Sequence, residues 1–448
     1  MSDMTLVNLS YGFKERGDPE SLVPLGSLYL VSALEEKGYT VDFRDYQLDT
    51  RGQQYKTQSL VSFLDSSARV IGISCCSDSL PLALVALKKL KEQDPGKYII
   101  LGGVGPTGVS HEILEHFPYI DMIVKGEGEQ TIVDVMDRLR NSGTIRAGHE
   151  WRQVPGIDYR QGEMIYRNPP RKRIQNLDEL PLPAYHKITP GNYTNLGLTS
   201  ARGCPYQCVF CDAAPFWDYH VTRRDIENVI EEIKLFHVHY PGQTIQVYDE
   251  TFTLDKQRVL RFCRRLKEEH LDIRWSVMTR IDLVDDELMA EMSGSGCHMV
   301  LYGIESGSDD VLQKMGKHYT AHEAKEKIRR SLSYFQVWAP LIWGFPFETT
   351  ADFHKTMEFA ADISKIGAVP LLYLLAPFPL SPLYRQYKDT LKFSRELYDD
   401  SHLIKDEEVI ALINKHPALF PGFCYYEGGD VPRKYPIAKG YESIPFLP

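Results

Sequence analysis

The sequence has few cysteines, no long uninterrupted apolar run and no excess of positive charge. Eight cysteines in 448 residues do not suggest the disulfide framework of a small secreted domain. The most apolar late stretch, residues 368–384, contains four prolines and is followed by Arg385, which argues against a membrane helix. A formal net charge of −10 argues against a general nucleic-acid binder. We therefore expect a cytoplasmic protein without a membrane or nucleic-acid partner.

Residues 1–140 alternate short apolar strands with helices. This pattern predicts an α/β domain with a parallel, doubly wound, Rossmann-like sheet, and the length of the chain predicts at least one further domain. Ligands of such sheets bind beyond the carboxyl ends of the strands. The polar or glycine-rich turns at the strand ends contain Ser74, Cys75, Gly102, Gly103, Val104, Gly126, Glu127, Gly128 and Glu129.

The rest of the chain divides into three segments. Six prolines in residues 141–190 indicate a linker. Residues 191–385 again alternate strands and helices, in six steps, which predicts a partial (β/α)6 TIM barrel with its functional residues at the carboxyl ends of the strands. Residues 386–448 combine aromatics and glycines without a helical period. We expect them to form a lid or substrate-contact region, and the alternative is a tail that closes the bottom of the barrel.

Three cysteines, Cys204, Cys208 and Cys211, follow the first strand of the predicted barrel. Thiolates suit soft metals and iron–sulfur clusters. Three cysteines on one short loop would hold three irons of a [4Fe–4S] cube and leave the fourth iron open, as catalysis requires. A zinc knuckle completed by His220 is the alternative, although this spacing is unusual for zinc.

This cysteine spacing, with Phe210 directly before the third cysteine, resembles the radical S-adenosylmethionine (SAM) enzymes. The resemblance implies that the open iron chelates the amine and carboxylate of SAM. It also implies an anaerobic setting and an external electron donor such as ferredoxin or flavodoxin. The barrel and its linker would then serve to place SAM against a substrate.

The same resemblance assigns roles to residues at successive strand ends. Asp249 or Glu250 would bind the SAM amine, Arg280 its carboxylate and Glu305 the ribose hydroxyls. The adenine would lie against the remaining set, which comprises Phe210, Ile342 and Gly344. For each residue alone, an ordinary salt bridge or packing contact is the alternative.

The glycine turns of residues 1–140 resemble the cobalamin-binding domain that precedes many radical SAM domains. The resemblance makes the nine turn residues from Ser74 to Glu129 named above candidates for contact with cobalamin. The Asp-x-His-x-x-Gly motif that supplies a histidine to cobalt in other cobalamin proteins is missing here. Histidine ligation is therefore not expected. A degenerate flavodoxin-like domain without a ligand is the alternative.

Together these features resemble the cobalamin-dependent, class B radical SAM methyltransferases. The resemblance implies methylation of an unactivated carbon through a 5′-deoxyadenosyl radical and methylcobalamin. A peptide or protein substrate is expected, because the compact length and short aromatic tail resemble the glutamine C-methyltransferases that act on methyl-coenzyme M reductase. One alternative is a cobalamin-binding radical SAM enzyme that catalyses cyclisation or rearrangement. Another is a non-catalytic iron–sulfur or corrinoid sensor.

Overall fold

The computed structural model describes residues 2–9, 21–49, 55–142 and 150–442. Two large sheets organise these residues, one of seven strands and one of six. The predicted α/β class, with a doubly wound sheet ahead of an incomplete barrel, is confirmed. Within the described ranges, no helix is long and apolar enough to cross a membrane.

The N-terminal domain is built on the first five strands of the seven-stranded sheet. Its elements are β1 (Met4–Leu9), α1 (Leu25–Glu36), β2 (Val41–Asp45), α2 (Thr57–Phe63), β3 (Val70–Cys75), α3 (Leu80–Gln93), β4 (Tyr98–Gly102), α4 (Val104–Thr107), α5 (Ser110–His116), β5 (Met122–Val124) and α6 (Glu129–Ser142). These strands run parallel in the order β2-β1-β3-β4-β5. Helices α1 and α6 cover one face and α2, α3 and α5 cover the other. Because both faces are covered, the strands are nearly continuous apolar runs.

The segment that follows differs from the linker predicted for residues 141–190. Strands β6 (Ile157–Gln161) and β7 (Met164–Arg167) form an antiparallel hairpin, and β6 pairs with β5. The hairpin therefore extends the N-terminal sheet to seven strands. Five of the six prolines follow the hairpin, in the part of the segment where the chain crosses to the barrel.

The second domain is an open, all-parallel barrel in the order β15-β14-β13-β12-β11-β8. Its elements are β8 (Leu196–Leu198), β9 (Ala201–Arg202), α7 (Ala213–Phe216), β10 (Thr222–Arg223), α8 (Ile226–His239), β11 (Ile245–Val247), α9 (Lys256–Glu268), β12 (Trp275–Thr279), α10 (Asp286–Ser293), β13 (Cys297–Tyr302), α11 (Asp309–Met315), α12 (Ala321–Ser331), β14 (Gln336–Trp343), α13 (Thr350–Lys365) and β15 (Val369–Leu374). Helices α12 and α13 begin with capping boxes, Thr320 with Glu323 and Thr349 with Asp352. Their inward faces and the strands form one apolar core.

The C-terminal residues pack on both domains. They form α14 (Pro382–Tyr387), β16 (Leu391–Lys392), α15 (Arg395–Ser401), α16 (Glu407–Lys415), β17 (Tyr425–Tyr426) and α17 (Val431–Glu442). Helix α16 joins the core beneath α3 of the N-terminal domain. Helix α17 packs against α13 and β14 of the barrel. The segment therefore ties the two domains together, in addition to any contact with substrate.

Candidate active site

The cysteine loop runs from β9 to α7 and is held rigidly. Its three cysteines are partly exposed and form no disulfide. Gly203, just before Cys204, has φ +103°, and a Cβ there would lie 2.0 Å from the carbonyl oxygen of His220. Val209 donates its N–H to the carbonyl of Met315, and its own carbonyl accepts from Leu383. The backbone of the loop is therefore fixed before any metal binds.

Two buried carboxylates at the end of β11 hold the start of this loop. Asp249 Oδ1 accepts the N–H groups of Ser200 and Ala201 at 2.7 and 2.9 Å. Glu250 Oε2 accepts the N–H of Gly203 at 2.8 Å, and its Oε1 accepts from the Trp217 indole. Burial raises the pKa of both carboxyls by more than these donors lower it, so the net shift is upward. Binding of the SAM amine by either carboxylate stays a prediction; the structure gives both a role in positioning the cysteines.

The rigidity of the loop leads to a test on two glycines. Gly203→Ala is expected to bind little iron on anaerobic reconstitution. The new methyl group would collide with the backbone carbonyl of His220. Gly242 also has a positive φ, +80°, but nothing lies within 4 Å of a Cβ there. Gly242→Ala should therefore cost only about 1–2 kcal/mol of backbone strain and keep its iron. Equal iron content in the two variants would show that the loop tolerates displacement.

Arg280, predicted to bind the SAM carboxylate, lies beside the cysteines. Its guanidinium forms two hydrogen bonds to Asp282, at 2.8 and 3.0 Å, and stacks 3.9 Å above the ring of Tyr206. Nη1 is 3.8 Å from Cys208 Sγ. Burial lowers the pKa of Arg280, but Asp282 outweighs this effect, so the net shift is upward. A fixed positive charge at the sulfur favours the thiolate and suits a carboxylate ligand.

Glu305, predicted to bind the ribose, is paired with a lysine that sequence reasoning missed. Glu305 has φ +74°, an uncommon value for a residue with a side chain. Its Oε1 lies 3.2 Å from Nζ of Lys317, whose side chain is 3% exposed. Burial lowers the pKa of Lys317 and Glu305 raises it, with a net upward shift. No local motif marks Lys317, since only the tertiary fold brings it to the end of β13.

The residues predicted to border the adenine are brought to one place. Phe210 meets Phe345 edge to face, with ring centroids 5.9 Å apart, and Ile342 packs in the same apolar cluster. Gly344 has φ +93°, and its N–H donates to Glu348 Oε2 at 2.9 Å. An apolar slot beside the cysteine loop suits an aromatic base.

A cavity of about 360 Å³ separates the N-terminal sheet from the cysteine loop. Its walls are mainly apolar residues of β1, α1, β4 and α6. Seven of the residues predicted to contact cobalamin line it: Ser74, Gly102, Gly103, Gly126, Glu127, Gly128 and Glu129. One buried atom, Glu129 Oε2, has no hydrogen-bond partner among the described residues. The glycines fit a ligand at this edge of the sheet, because without side chains they let it approach the backbone closely.

Two predicted cobalamin residues, Cys75 and Val104, do not line this cavity. Cys75 is buried beneath the next turn, where its carbonyl oxygen lies 2.6 Å from the position of a Cβ on Gly103. Strand alternation places Cys75 away from the cavity, because its neighbour Ser74 is the residue on the cavity side. Contact of Cys75 or Val104 with cobalamin stays a prediction. Sequence reasoning also missed Arg202 and Trp217 in the cavity wall, since both belong to the other domain.

The structure shows no site for a single metal ion among the described residues. No group of three His, Cys, Asp or Glu side chains within the described ranges would hold one metal ion. Thiolates of a [4Fe–4S] cube bind different irons, so they stand farther apart than the ligands of one ion. The zinc knuckle that would have used His220 therefore finds no support in the geometry.

Family profiles match both domains. The profile of the B12 binding domain matches residues 19–136, and that of the radical SAM superfamily matches residues 198–360. Each match covers the part of the chain where its cofactor was expected. The order of the two domains is also the predicted one.

Two curated relatives and one solved structure extend this result. An uncharacterized methyltransferase of Pyrococcus horikoshii is 29% identical over 345 residues, which cover 75% of this chain and 72% of the relative. The anaerobic magnesium-protoporphyrin IX monomethyl ester cyclase of Cereibacter sphaeroides is 29% identical over 386 residues, 82% of this chain and 61% of the cyclase. The radical SAM methyltransferase TsrM of Kitasatospora setae, solved with tryptophan and a SAM analog, shares the fold. Its TM-score is 0.73 at 17% identity, over 97% of this chain and 87% of TsrM.

The residues present agree with these matches. Three free thiols stand on one rigid loop and a buried arginine lies beside them. Arg202 and Trp217, on either side of that loop, line a glycine-rich cavity. With these two matched domains, the chain belongs to the cobalamin-dependent radical SAM enzymes, whose cofactors are a [4Fe–4S] cluster, SAM and cobalamin.

Proposed function

We propose that this protein methylates an unactivated carbon of its substrate. The observation that carries the proposal is that the glycine-rich cavity and the cysteine loop share residues. Arg202, Trp217 and Glu250 line the cavity, and Glu250 also binds the cysteine loop. A methyl donor in the cavity would therefore adjoin the site where SAM is cleaved. That adjacency suits the replacement of a hydrogen atom by a methyl group at one carbon.

The cofactors, when bound, supply the radical that removes the hydrogen and the methyl group that replaces it. The protein binds and orients them. Cys204, Cys208 and Cys211 hold the cluster, while Arg280 offers a fixed cation to the SAM carboxylate. The Glu305–Lys317 pair presents a buried carboxylate to the ribose. One substrate molecule, two SAM molecules and two electrons are consumed, and methylated substrate, S-adenosylhomocysteine, methionine and 5′-deoxyadenosine are formed. An external donor such as ferredoxin or flavodoxin supplies the electrons.

The finer proposal concerns the substrate. Chain length and the short aromatic C-terminal segment support a peptide or protein, with glutamine in methyl-coenzyme M reductase as the specific candidate. The name of the Cereibacter relative instead indicates a porphyrin ester as that enzyme's substrate. A substrate screen should therefore contain both classes.

The reaction is tested with the reconstituted holoenzyme, a strong reductant and SAM that carries a trideuterated methyl group. Glutamine-containing peptides of the reductase and porphyrin esters serve as substrates. We expect one substrate to gain a trideuteromethyl group in place of hydrogen, with S-adenosylhomocysteine and 5′-deoxyadenosine both formed. A matched reaction with the Cys208→Ala variant corrects for methylation that does not need the cluster. Turnover of substrate without label would contradict methyl transfer.

Ring formation is the second candidate, because the Cereibacter relative is a cyclase. The two reactions leave different products. Cyclisation yields 5′-deoxyadenosine and a product without the trideuteromethyl label, whereas methylation also yields S-adenosylhomocysteine. The same assay therefore decides between them.

A further inference from the structure

We propose that Arg202 is a positioning residue that fixes the cluster loop against the cobalamin-binding domain and so sets the distance between the two cofactors. It acts through the turn Gly126–Glu129, called here the acidic turn. This inference goes beyond methyl transfer, because it concerns how the two cofactors are placed and holds for any reaction between them.

Arg202 belongs to the barrel, but both of its carboxylate partners belong to the N-terminal domain. Nη1 lies 3.0 Å from Glu127 Oε1, and Nη2 lies 2.7 Å from Glu129 Oε1. All three side chains are less than a tenth exposed. The guanidinium also lies 4.9 Å above the ring of Tyr29 on α1. A planar fork held by two acids and a ring has little freedom to move.

The protonation state of Arg202 is secure. An arginine guanidinium is not deprotonated in proteins. The contact therefore joins a permanent cation to two carboxylates in a desolvated place. Removal of the arginine, or of both carboxylates, would leave an uncompensated buried charge.

Movement of Arg202 would pass directly to the first cluster ligand. Only Gly203 separates it from Cys204, and the backbone of Gly203 is pressed against the carbonyl of His220. The N–H of Gly203 is held by Glu250. The guanidinium, the glycine and the cysteine therefore behave as one rigid unit.

Arg173 makes a second connection between the acidic turn and the cysteine loop. Arg173, from the segment between the domains, lies 3.2 Å from Glu127 Oε2 and donates to the carbonyls of Trp217 and His220 at 2.8 and 2.7 Å. Its guanidinium stacks 4.7 Å above Trp217, whose indole donates to Glu250. The acidic turn thus reaches Gly203 by two routes.

The acidic turn also faces the cofactor. Glu127 and Glu129 both line the cavity, and Glu129 Oε2 is buried without a hydrogen-bond partner among the described residues. A donor group of the corrinoid in this cavity would meet the carboxylate that holds Arg202. The network therefore joins the cysteine loop to the wall of the cavity itself.

The test is a distance measurement in the full-length holoenzyme. Pulsed EPR records the dipolar interaction between cob(II)alamin and the reduced cluster in wild-type protein and in Arg202→Met, at equal iron and cobalt content. We expect one narrow distance distribution in the wild type and its loss in Arg202→Met. Arg202→Lys, which keeps the charge, should restore part of the narrow distribution. A wild-type distribution in Arg202→Met would overturn the proposal.

The matched control is Arg171→Met. Arg171 joins the same segment to α6 through Thr131, 2.8 Å away, and Asp134, both distant in sequence from the cysteine loop. Its removal should leave the distance distribution unchanged. If Arg202→Met fails to take up its cofactors, Glu129→Gln decides, because it keeps an acceptor and removes one charge: a broadened distribution supports the proposal and an unchanged one overturns it. The measurement needs no substrate, so a failure to methylate would not be mistaken for a failure of positioning.

Discussion

In the Cys208→Ala variant we expect no cluster and no cleavage of SAM. Cys208 is one of three thiols on the rigid loop, and its sulfur lies beside the guanidinium of Arg280. Since the cofactor carries the chemistry, 5′-deoxyadenosine formation should be lost. Iron analysis and the product assay after anaerobic reconstitution measure the two effects.

Cys263→Ala is the matched control for this prediction. Cys263 is fully buried in the apolar core of the barrel, on α9, and lies outside the cysteine loop. Its loss should cost about 1 kcal/mol of stability, as a small core truncation, and leave the iron content unchanged. Iron retained in Cys208→Ala, or lost equally in both variants, would mean that the loop does not hold the cluster.

Lys434→Met should detach the C-terminal segment from the barrel. Lys434 and Glu348 form an ion pair at 2.9 Å whose side chains are 1% and 0% exposed. Removal of the lysine leaves Glu348 buried and uncompensated, a loss of about 3–5 kcal/mol. Glu348 also accepts the N–H of Gly344 at the predicted adenine slot, so SAM affinity should fall as well. Limited proteolysis after residue 430 and SAM titration measure both.

Lys439→Met provides the comparison on the same helix. Lys439 pairs with Asp400 at 2.7 Å, but the side chains are 56% and 38% exposed. An exposed pair contributes about 0–1 kcal/mol, so the segment should stay attached. The double variant Glu348→Gln with Lys434→Met should recover part of the loss, because no buried charge remains. Equal protease resistance in Lys434→Met and Lys439→Met would contradict the assigned role of the buried pair.

The sequence predicted the features that depend on neighbouring residues in the chain. Periodicity and turn chemistry located the alternating strands of both domains, and the spacing of Cys204, Cys208 and Cys211 pointed to one cofactor class before any coordinates. The positions of Asp249, Glu250, Arg280 and Glu305 at strand ends also follow from the alternation, whereas their roles toward SAM stay predictions. These features depend on neighbours within a few residues in the chain.

Contacts between the two domains could not be predicted from the local sequence pattern. Arg202 meets acids 73 and 75 residues earlier, and α16 packs beneath α3 more than 300 residues away. The pairing of the hairpin Ile157–Gln161 and Met164–Arg167 with β5 was not predicted, because α6 separates these strands in the chain. Lys317 carries no motif at all. Such contacts follow from the fold and not from local pattern.

The central claim is that one chain holds an iron–sulfur cluster and a corrinoid side by side. It is tested most directly by iron and cobalt analysis, with an absorption spectrum, of protein reconstituted anaerobically with hydroxocobalamin. The account predicts about four irons and about one cobalt per chain, since a [4Fe–4S] cluster and one corrinoid are expected. The absence of the histidine motif predicts a base-off spectrum without histidine ligation. Iron without cobalt would contradict the account and leave a radical SAM enzyme whose glycine-lined cavity serves another ligand.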